Sequence, residues 1–156
     1  MRFGWLTLSL SSSPHEDKQN IDNVLIQAQE AERLGFEDVW LTEHYFTGES
    51  VYNDALLFAA ALAMKTEKIR IGFSVVQMPF HHPVRLATQL ALLDNLSNGR
   101  IDVGVGKGTV FNEYEFIGHG LRSEDSPQRA KEGFEILEKA WKGGSFSHKG
   151  HFYDLE

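Results

Sequence analysis

Residues 93–108 read LDNLSNGRIDVGVGKG, a helix end followed at once by a strand. Leucines spaced by three and four residues lead to Asn98-Gly99, a pair that favours a left-handed helix cap. The next residues, Ile101 to Val105, predict a strand that runs into alternating glycines and Lys107. Glycine has no Cβ, so a flat or anionic ligand can approach its backbone closely. Ligands of α/β proteins bind at the carboxyl ends of parallel strands, so we expect a binding site here.

The same strand and helix rhythm extends in both directions from this stretch. Strands are predicted within the first ten residues and at residues 38–42, 69–76 and 101–105. Helices are predicted at about residues 21–34, 54–64, 83–98 and 126–141. The connections are too long for hairpins, so the order βαβαβαβα predicts a parallel sheet with right-handed crossovers. Four such units make either a small open sheet or half of an eight-unit barrel, and their pattern alone leaves both open.

The remaining segments are predicted to be irregular. Residues 109–125 are expected to form a long loop, and residues 145–156 a hairpin or an extended arm. The apolar first ten residues are interpreted as a strand rather than a signal peptide, because they carry one basic residue and no small-residue cleavage site follows. No apolar run approaches the roughly 18 residues of a membrane span. We therefore expect residues 1–156 to form a single domain.

Composition narrows the class of protein. The chain has 156 residues, 42% of them hydrophobic, which is enough for one core. Its net charge is -7 and its 15 Lys and Arg residues do not cluster, which argues against nucleic-acid binding. It has no cysteine, which excludes disulfides, thiolate metal sites and cysteine nucleophiles and fits a cytoplasmic location. Acidic residues on helices, such as Glu30, Glu32 and Glu132, are expected to be solvated.

Three segments with candidate catalytic or ligand-binding residues lie at the carboxyl ends of predicted strands. Glu43-His44 ends the second strand, His81-His82 follows the third, and the glycines follow the fourth. A histidine at this edge of a barrel can exchange a proton near neutral pH. We favour a functional role for His44, and a loop or packing role for His81 and His82.

The glycine motif Gly104-x-Gly106-x-Gly108 is unlike known phosphate loops. It lacks the G-x-G-x-x-G spacing of the dinucleotide fingerprint and the Lys-Ser/Thr of a P-loop. With Lys107 and the aromatic residues that follow, it indicates an anionic cofactor, and a tight turn is the alternative. A metal site is disfavoured, because helical His-x-x-x-His and Glu-x-x-His spacings are absent.

The assembled segments resemble the bacterial luciferase-like flavin monooxygenases, a superfamily of TIM barrels, (β/α)8, that use reduced FMN or, in some branches, the deazaflavin F420. The resemblance covers essentially the whole chain, with about four βα units present. It is carried by residues 34–44, 78–85, 93–100, 104–108 and 112–118, in that order and spacing.

The resemblance assigns roles to individual positions. His44 resembles the histidine that acts as general base or proton donor beside the flavin. Ser74-Val75 falls where the family carries a non-proline cis peptide that supports the flavin ring. Lys107 stands in place of the arginine that meets the FMN phosphate, and Gly106 in place of a reactive cysteine. The expected cofactor-binding residues are Glu43, Ser74, Val75, Gly104, Gly106, Lys107 and Gly108.

The implied reaction is oxygenation of a small organic substrate by O2 with reduced flavin, supplied where needed by a flavin reductase. Family members ordinarily run to eight units, so this chain is expected to be the N-terminal half of such a barrel. It is then a fragment, or it pairs with itself or with a second half barrel to cover the open strand edges. A non-catalytic flavin-binding or self-associating half barrel, and more distantly a metal-dependent hydrolase, are the alternatives.

Overall fold

A computed structural model describes residues 1–156, apart from the side chain of Val110. Its strands are β1 (Gly4–Thr7), β2 (Asp38–Leu41), β3 (Arg70–Gln77), β4 (Ile101–Gly106), β5 (His148–Lys149) and β6 (Asp154–Leu155). Its α-helices are α1 (Asp17–Arg33), α2 (Ala55–Lys65), α3 (Pro83–Ser97), α4 (Glu113–Gly118) and α5 (Ser126–Lys142). Single 3-10 turns lie at Met78–Phe80, Val110–Asn112 and Ser123–Asp125.

The first four strands form one sheet in chain order, as the alternating pattern predicts. Pairing is parallel, with Trp5 opposite Val39 and Val39 opposite Ile71. The apolar strand residues Val39, Leu41, Ile71 and Phe73 have no exposed surface. Side chains alternate across a strand, so these four mark the face of the sheet that is buried.

The other face of the sheet is partly open. Leu6 lies opposite Trp40, and Trp40 opposite Gly72. Leu6 is 53% exposed and Trp40 is half-buried. The expected uncovered apolar face is therefore present in this chain.

The chain forms two compact units. The first contains residues 1–76 and 90–104, and the second contains residues 77–89 and 105–156. Phe116, Ile136 and Leu137 are buried in the second unit. There the tail forms an antiparallel hairpin of β5 and β6, the first of the two alternatives for this segment.

Two local predictions need correction. Residues 109–125 were predicted to be a loop but contain the six-residue helix α4, which is too short to show a helical period in sequence. The pair Ser126-Pro127 predicts a helix cap followed by a first-turn proline. The structure shows that Ser126 is already the first residue of α5, and its hydroxyl donates a hydrogen bond to the Lys107 carbonyl instead. None of the helices in the part of the chain that the structure describes has the length and hydropathy of a membrane span.

Candidate functional site

Glu43 and His44 follow β2 directly, at its carboxyl end. Glu43 is only 4% exposed, and its Oε1 accepts a hydrogen bond of 2.5 Å from the Tyr45 hydroxyl. The half-buried His44 ring places Nδ1 3.7 Å from Oε2 of Glu49. Glu49 thus places a carboxylate beside the ring. An imidazole at the end of a strand is a group that can take up and release a proton.

Ser74, Val75 and Gly104 lie close together where β3 and β4 run side by side. The Ser74–Val75 peptide bond is cis, as the resemblance predicted. A Cβ on Gly104 would lie 2.5 Å from the carbonyl oxygen of Phe73 and 3.7 Å from Cγ1 of Val75. Only glycine fits there, so this glycine is required by strand packing beside the cis bond.

Gly106, Lys107 and Gly108 belong to the second unit, where β4 ends. Gly108 has φ +79°, and a Cβ there would lie 2.7 Å from Cζ of Phe116. The space at Gly108 is thus filled by an aromatic ring of the chain itself. The tight-turn alternative explains this glycine without a ligand.

Lys107 lines a small cavity of about 190 Å³. Ser123 and Ser126 contribute hydroxyl groups to the wall, and Ser126 also holds the Lys107 backbone. The Lys107 side chain is exposed, and its ammonium forms no ion pair with any described residue. The cavity lies at the start of α5, where the helix dipole favours negative charge. Its size and charge suit one phosphate group.

Glu115 was missed in the sequence because it falls in the segment predicted to be a loop. It has no exposed surface, and one of its oxygens, Oε2, accepts hydrogen bonds of 3.2 Å from the amides of Gln77 and Asn112. Gln77 Oε1 would in turn lie 3.0 Å from a Cβ on Gly108. A buried carboxylate therefore fixes the side chains that border the glycine turn.

Glu132 was predicted to be solvated, and this prediction is wrong. Its carboxylate accepts hydrogen bonds from the backbone amides of His151, Phe152 and Tyr153 and lies 3.1 Å from Nε2 of His148. Burial alone would raise the pKa of Glu132, but these donors lower it below its ordinary value. Glu132 is the anchor of the hairpin on α5.

The backbone of His81 and the ring of His82 both contact Tyr153 in the tail, and the packing interpretation of these histidines stays a prediction. The hydroxyl of Tyr153 donates a 3.5 Å hydrogen bond to the His81 carbonyl. The His82 ring meets the Tyr153 ring edge-on, with 5.7 Å between centroids. The hairpin therefore holds the turn that precedes α3.

Comparison with known proteins gives a consistent answer. The luciferase-like monooxygenase family model matches residues 1–156. The oxygenase component of the flavin-dependent trigonelline monooxygenase of Acinetobacter baylyi is 33% identical over 99% of this chain and 43% of its own length.

Two solved structures share the fold. The monooxygenase RslO1 from Streptomyces bottropensis is 34% identical, with a TM-score of 0.91 over 99% of this chain and 47% of its own. The oxygenating constituent of 3,6-diketocamphane monooxygenase from Pseudomonas putida, a type II Baeyer-Villiger enzyme in complex with FMN, is 25% identical with the same TM-score over 99% and 43%.

The chain spans less than half the length of these relatives. The match is to a barrel fold, the (β/α)8 architecture, of which the parallel sheet here supplies four strands. The full-length family match and the 33% identity together place the chain in the luciferase-like monooxygenase family, a family of flavin-dependent oxygenases.

Proposed function

We propose that this chain is the N-terminal half of a flavin-dependent monooxygenase that uses reduced FMN and O2 to oxygenate a small organic substrate. The observation that carries the proposal is the cavity lined by Lys107, Ser123 and Ser126 at the end of a barrel strand. FMN carries a phosphate that this cavity can hold, and F420 is the second candidate cofactor. A separate flavin reductase would supply the electrons, since a relative is named as an oxygenase component.

The residues present fit a flavin in two respects. Lys107 and Ser123 offer a charge and a hydroxyl donor to a phosphate, within a cavity of matching size, while the Ser126 hydroxyl is already bonded to the Lys107 carbonyl. In the first unit, the exposed Ser74 and half-buried Val75 lie beside Gly104, at the place where the resemblance expects the flavin ring to be supported. In this proposal, three of the expected cofactor-binding residues contribute to the local structure at the ends of the strands and supply no charge to the ligand. These are Glu43, Gly106 and Gly108.

The bound flavin would supply the two electrons that activate O2. The contribution of the protein is to bind the cofactor, to manage a proton and to exclude water. His44 is the proton-handling residue, because it is a half-buried imidazole at the carboxyl end of β2 with the Glu49 carboxylate 3.7 Å from its Nδ1. Removing such a group costs about 10²- to 10⁴-fold in rate.

The experiment combines FMN with the purified chain, photoreduces the flavin without air, then admits air and follows the flavin absorbance. An oxygenase reoxidises its flavin along a different time course from free FMN, and His44→Ala changes that time course while FMN affinity stays within about twofold. Gln19→Ala, a change on the exposed surface of α1, is the matched control. Reoxidation at the rate of free FMN, unchanged by His44→Ala, would contradict the proposal.

The alternative is a flavin-binding half barrel without turnover. The open sheet face at Leu6 favours it, because an uncovered site admits water to the cofactor. The same experiment separates the two, since a carrier binds FMN but leaves its reoxidation unchanged. Pairing with a second copy or a second half barrel would close the face and restore the enzyme.

A further inference from the structure

A second cavity lies between the loops that follow β1 and β2 in the first unit. Its volume is about 330 Å³, and its walls come from residues 11–17 and 46–53. The two loops are joined by backbone hydrogen bonds, from Ser11 N to Gly48 O at 2.9 Å and from Val51 N to Ser9 O at 3.1 Å. The walls are therefore held at a fixed separation by the main chain.

The backbone around this cavity is strained. In the described part of the chain, four residues other than glycine have positive φ, and three belong to these loops: Ser9 at 47°, Phe46 at 71° and Asn53 at 49°. The fourth, Asn98, ends α3 in an ordinary left-handed cap. Left-handed conformations at Ser and Phe cost free energy and cluster at ligand sites. Such a cluster is unexpected in connections that serve only to join elements.

The lining is rich in hydrogen-bond acceptors and carries one charge. Asp17 is the charged residue among those that line the cavity, and its Oδ1 accepts a 2.5 Å hydrogen bond from the Ser11 hydroxyl. Asp17 makes no other hydrogen bond or ion pair with a described residue, so Oδ2 is available. The Phe46 ring, 64% exposed, adds an apolar wall. A protonated amine brings three donors, no acceptor and a positive charge, which the Asp17 carboxylate can pair with. Asp17 is the first residue of α1, so this pairing has to outweigh the helix dipole, which disfavours a cation there.

The cavity is also connected to the proton-handling histidine. The loop of residues 46–53 carries Glu49, whose Oε2 lies 3.7 Å from Nδ1 of His44. A ligand that touches this loop therefore contacts the segment that carries the carboxylate beside His44.

We propose that this cavity binds the ammonium end of a small organic amine, with Asp17 as the charge partner and Phe46 against the carbon skeleton. The assignment of that amine as the substrate rests on the proposed oxygenase function. Binding itself does not, because every residue of the cavity lies in the first unit and none belongs to the Lys107 cavity.

The test uses three probes of similar shape and different charge: benzylamine, benzyl alcohol and benzoate. Each is titrated into the flavin-free chain at pH 7 while the backbone amide signals of Ser11, Gly48 and Val51 are followed by NMR. Benzylamine is expected to bind at least tenfold more tightly than benzyl alcohol, and benzoate more weakly than either. Asp17→Asn keeps an acceptor for Ser11 but removes the charge, and should weaken benzylamine at least tenfold without changing benzyl alcohol.

Asp22→Asn is the matched control, because Asp22 lies on the same helix, pairs with Lys18 and does not line the cavity. Phe46→Ala changes an exposed side chain and should weaken benzylamine severalfold with the fold intact. The proposal is overturned if benzyl alcohol binds as tightly as benzylamine, if Asp17→Asn binds benzylamine normally, or if no probe shifts these amides. FMN binding at Lys107 is measured separately, so none of these results decides whether the proposed function is correct.

Discussion

Lys107 offers the sharpest single-residue test of the cofactor assignment, because FMN and riboflavin differ only by the phosphate. A charged hydrogen bond contributes about 1.5–3 kcal/mol, so Lys107→Ala should weaken FMN at least tenfold and leave riboflavin unchanged. Calorimetric titration of both ligands gives the ratio. Lys131→Ala, an exposed change on α5, should alter neither affinity. Equal losses for FMN and riboflavin would remove Lys107 from the phosphate contact.

Glu115 tests the buried network behind the glycine turn. Glu115→Leu removes the acceptor that the side-chain amides of Gln77 and Asn112 share, at a position with no exposed surface. A hydrogen bond to a charged group contributes about 1.5–3 kcal/mol, so unfolding by urea should show a loss of about 2–4 kcal/mol. Glu115→Gln keeps an acceptor oxygen and should lose much less. Equal losses for Leu and Gln would mean that the acceptor is not what matters.

At the scale of elements, two helical carboxylates hold the turns that come after them in the chain. The Glu132 carboxylate on α5 accepts hydrogen bonds from backbone amides of the hairpin segment. The Glu32 carboxylate on α1 accepts hydrogen bonds from three backbone amides in the turn between α2 and β3. The donors are Glu67, Lys68 and Ile69, at 2.9, 2.5 and 2.8 Å. In each unit, therefore, a glutamate on a helix accepts backbone hydrogen bonds from an irregular segment and holds that segment against the helix.

The Glu32 contact predicts a pH dependence of stability. Burial alone would raise the pKa of Glu32, but the three amides lower it below its ordinary value of 4.5. A lowered pKa in the folded state stabilises the protein above 4.5 and loses that contribution as the pH falls through the folded pKa. Glu32→Gln should therefore cost about 1–2 kcal/mol at pH 7, and less below pH 4.

Urea unfolding at both pH values measures the difference. Glu135→Gln, at an exposed position of α5, is the control and should be neutral at both. If Glu32→Gln lowers the free energy of unfolding by the same amount at pH 7 and pH 3, the charge of the carboxylate does not stabilise the turn.

Sequence pattern predicted the regular elements because strand and helix periods are local. The prediction that Glu32 and Glu132 are solvated was wrong. Periodicity places a residue on a face of a helix, but it does not show which later segment of the chain packs against that face. Helix α4 was missed because its stability comes from burying Glu115 and Phe116, a tertiary effect. His44 and Lys107 were singled out by their positions at the ends of predicted strands, and Ser74 was identified through resemblance to a family. Their convergence on one flavin remains a prediction, whereas the cis bond after Ser74 is confirmed.

At the scale of the whole molecule, the sheet ends in two strands that have a neighbour on one side only. β1 and β4 are the outer strands of the four-stranded sheet. Leu6, Leu8 and Leu10 are all about half exposed or more, at 53, 48 and 66%. Edge strands next to exposed apolar side chains are sites of association. The relatives, which are more than twice as long, have additional chain to supply such a cover.

We therefore expect the isolated chain to self-associate through this open face. Sedimentation equilibrium over a hundredfold range of concentration should show a monomer in exchange with a dimer or larger species. Leu6→Glu places a charge on the face next to Trp40 and should shift the distribution toward monomer without loss of stability, because Leu6 is already half exposed. Ile26→Glu, at a side chain 61% exposed on α1, should leave association unchanged. A monodisperse monomer that unfolds cooperatively and binds no hydrophobic dye would show that the open face needs no partner.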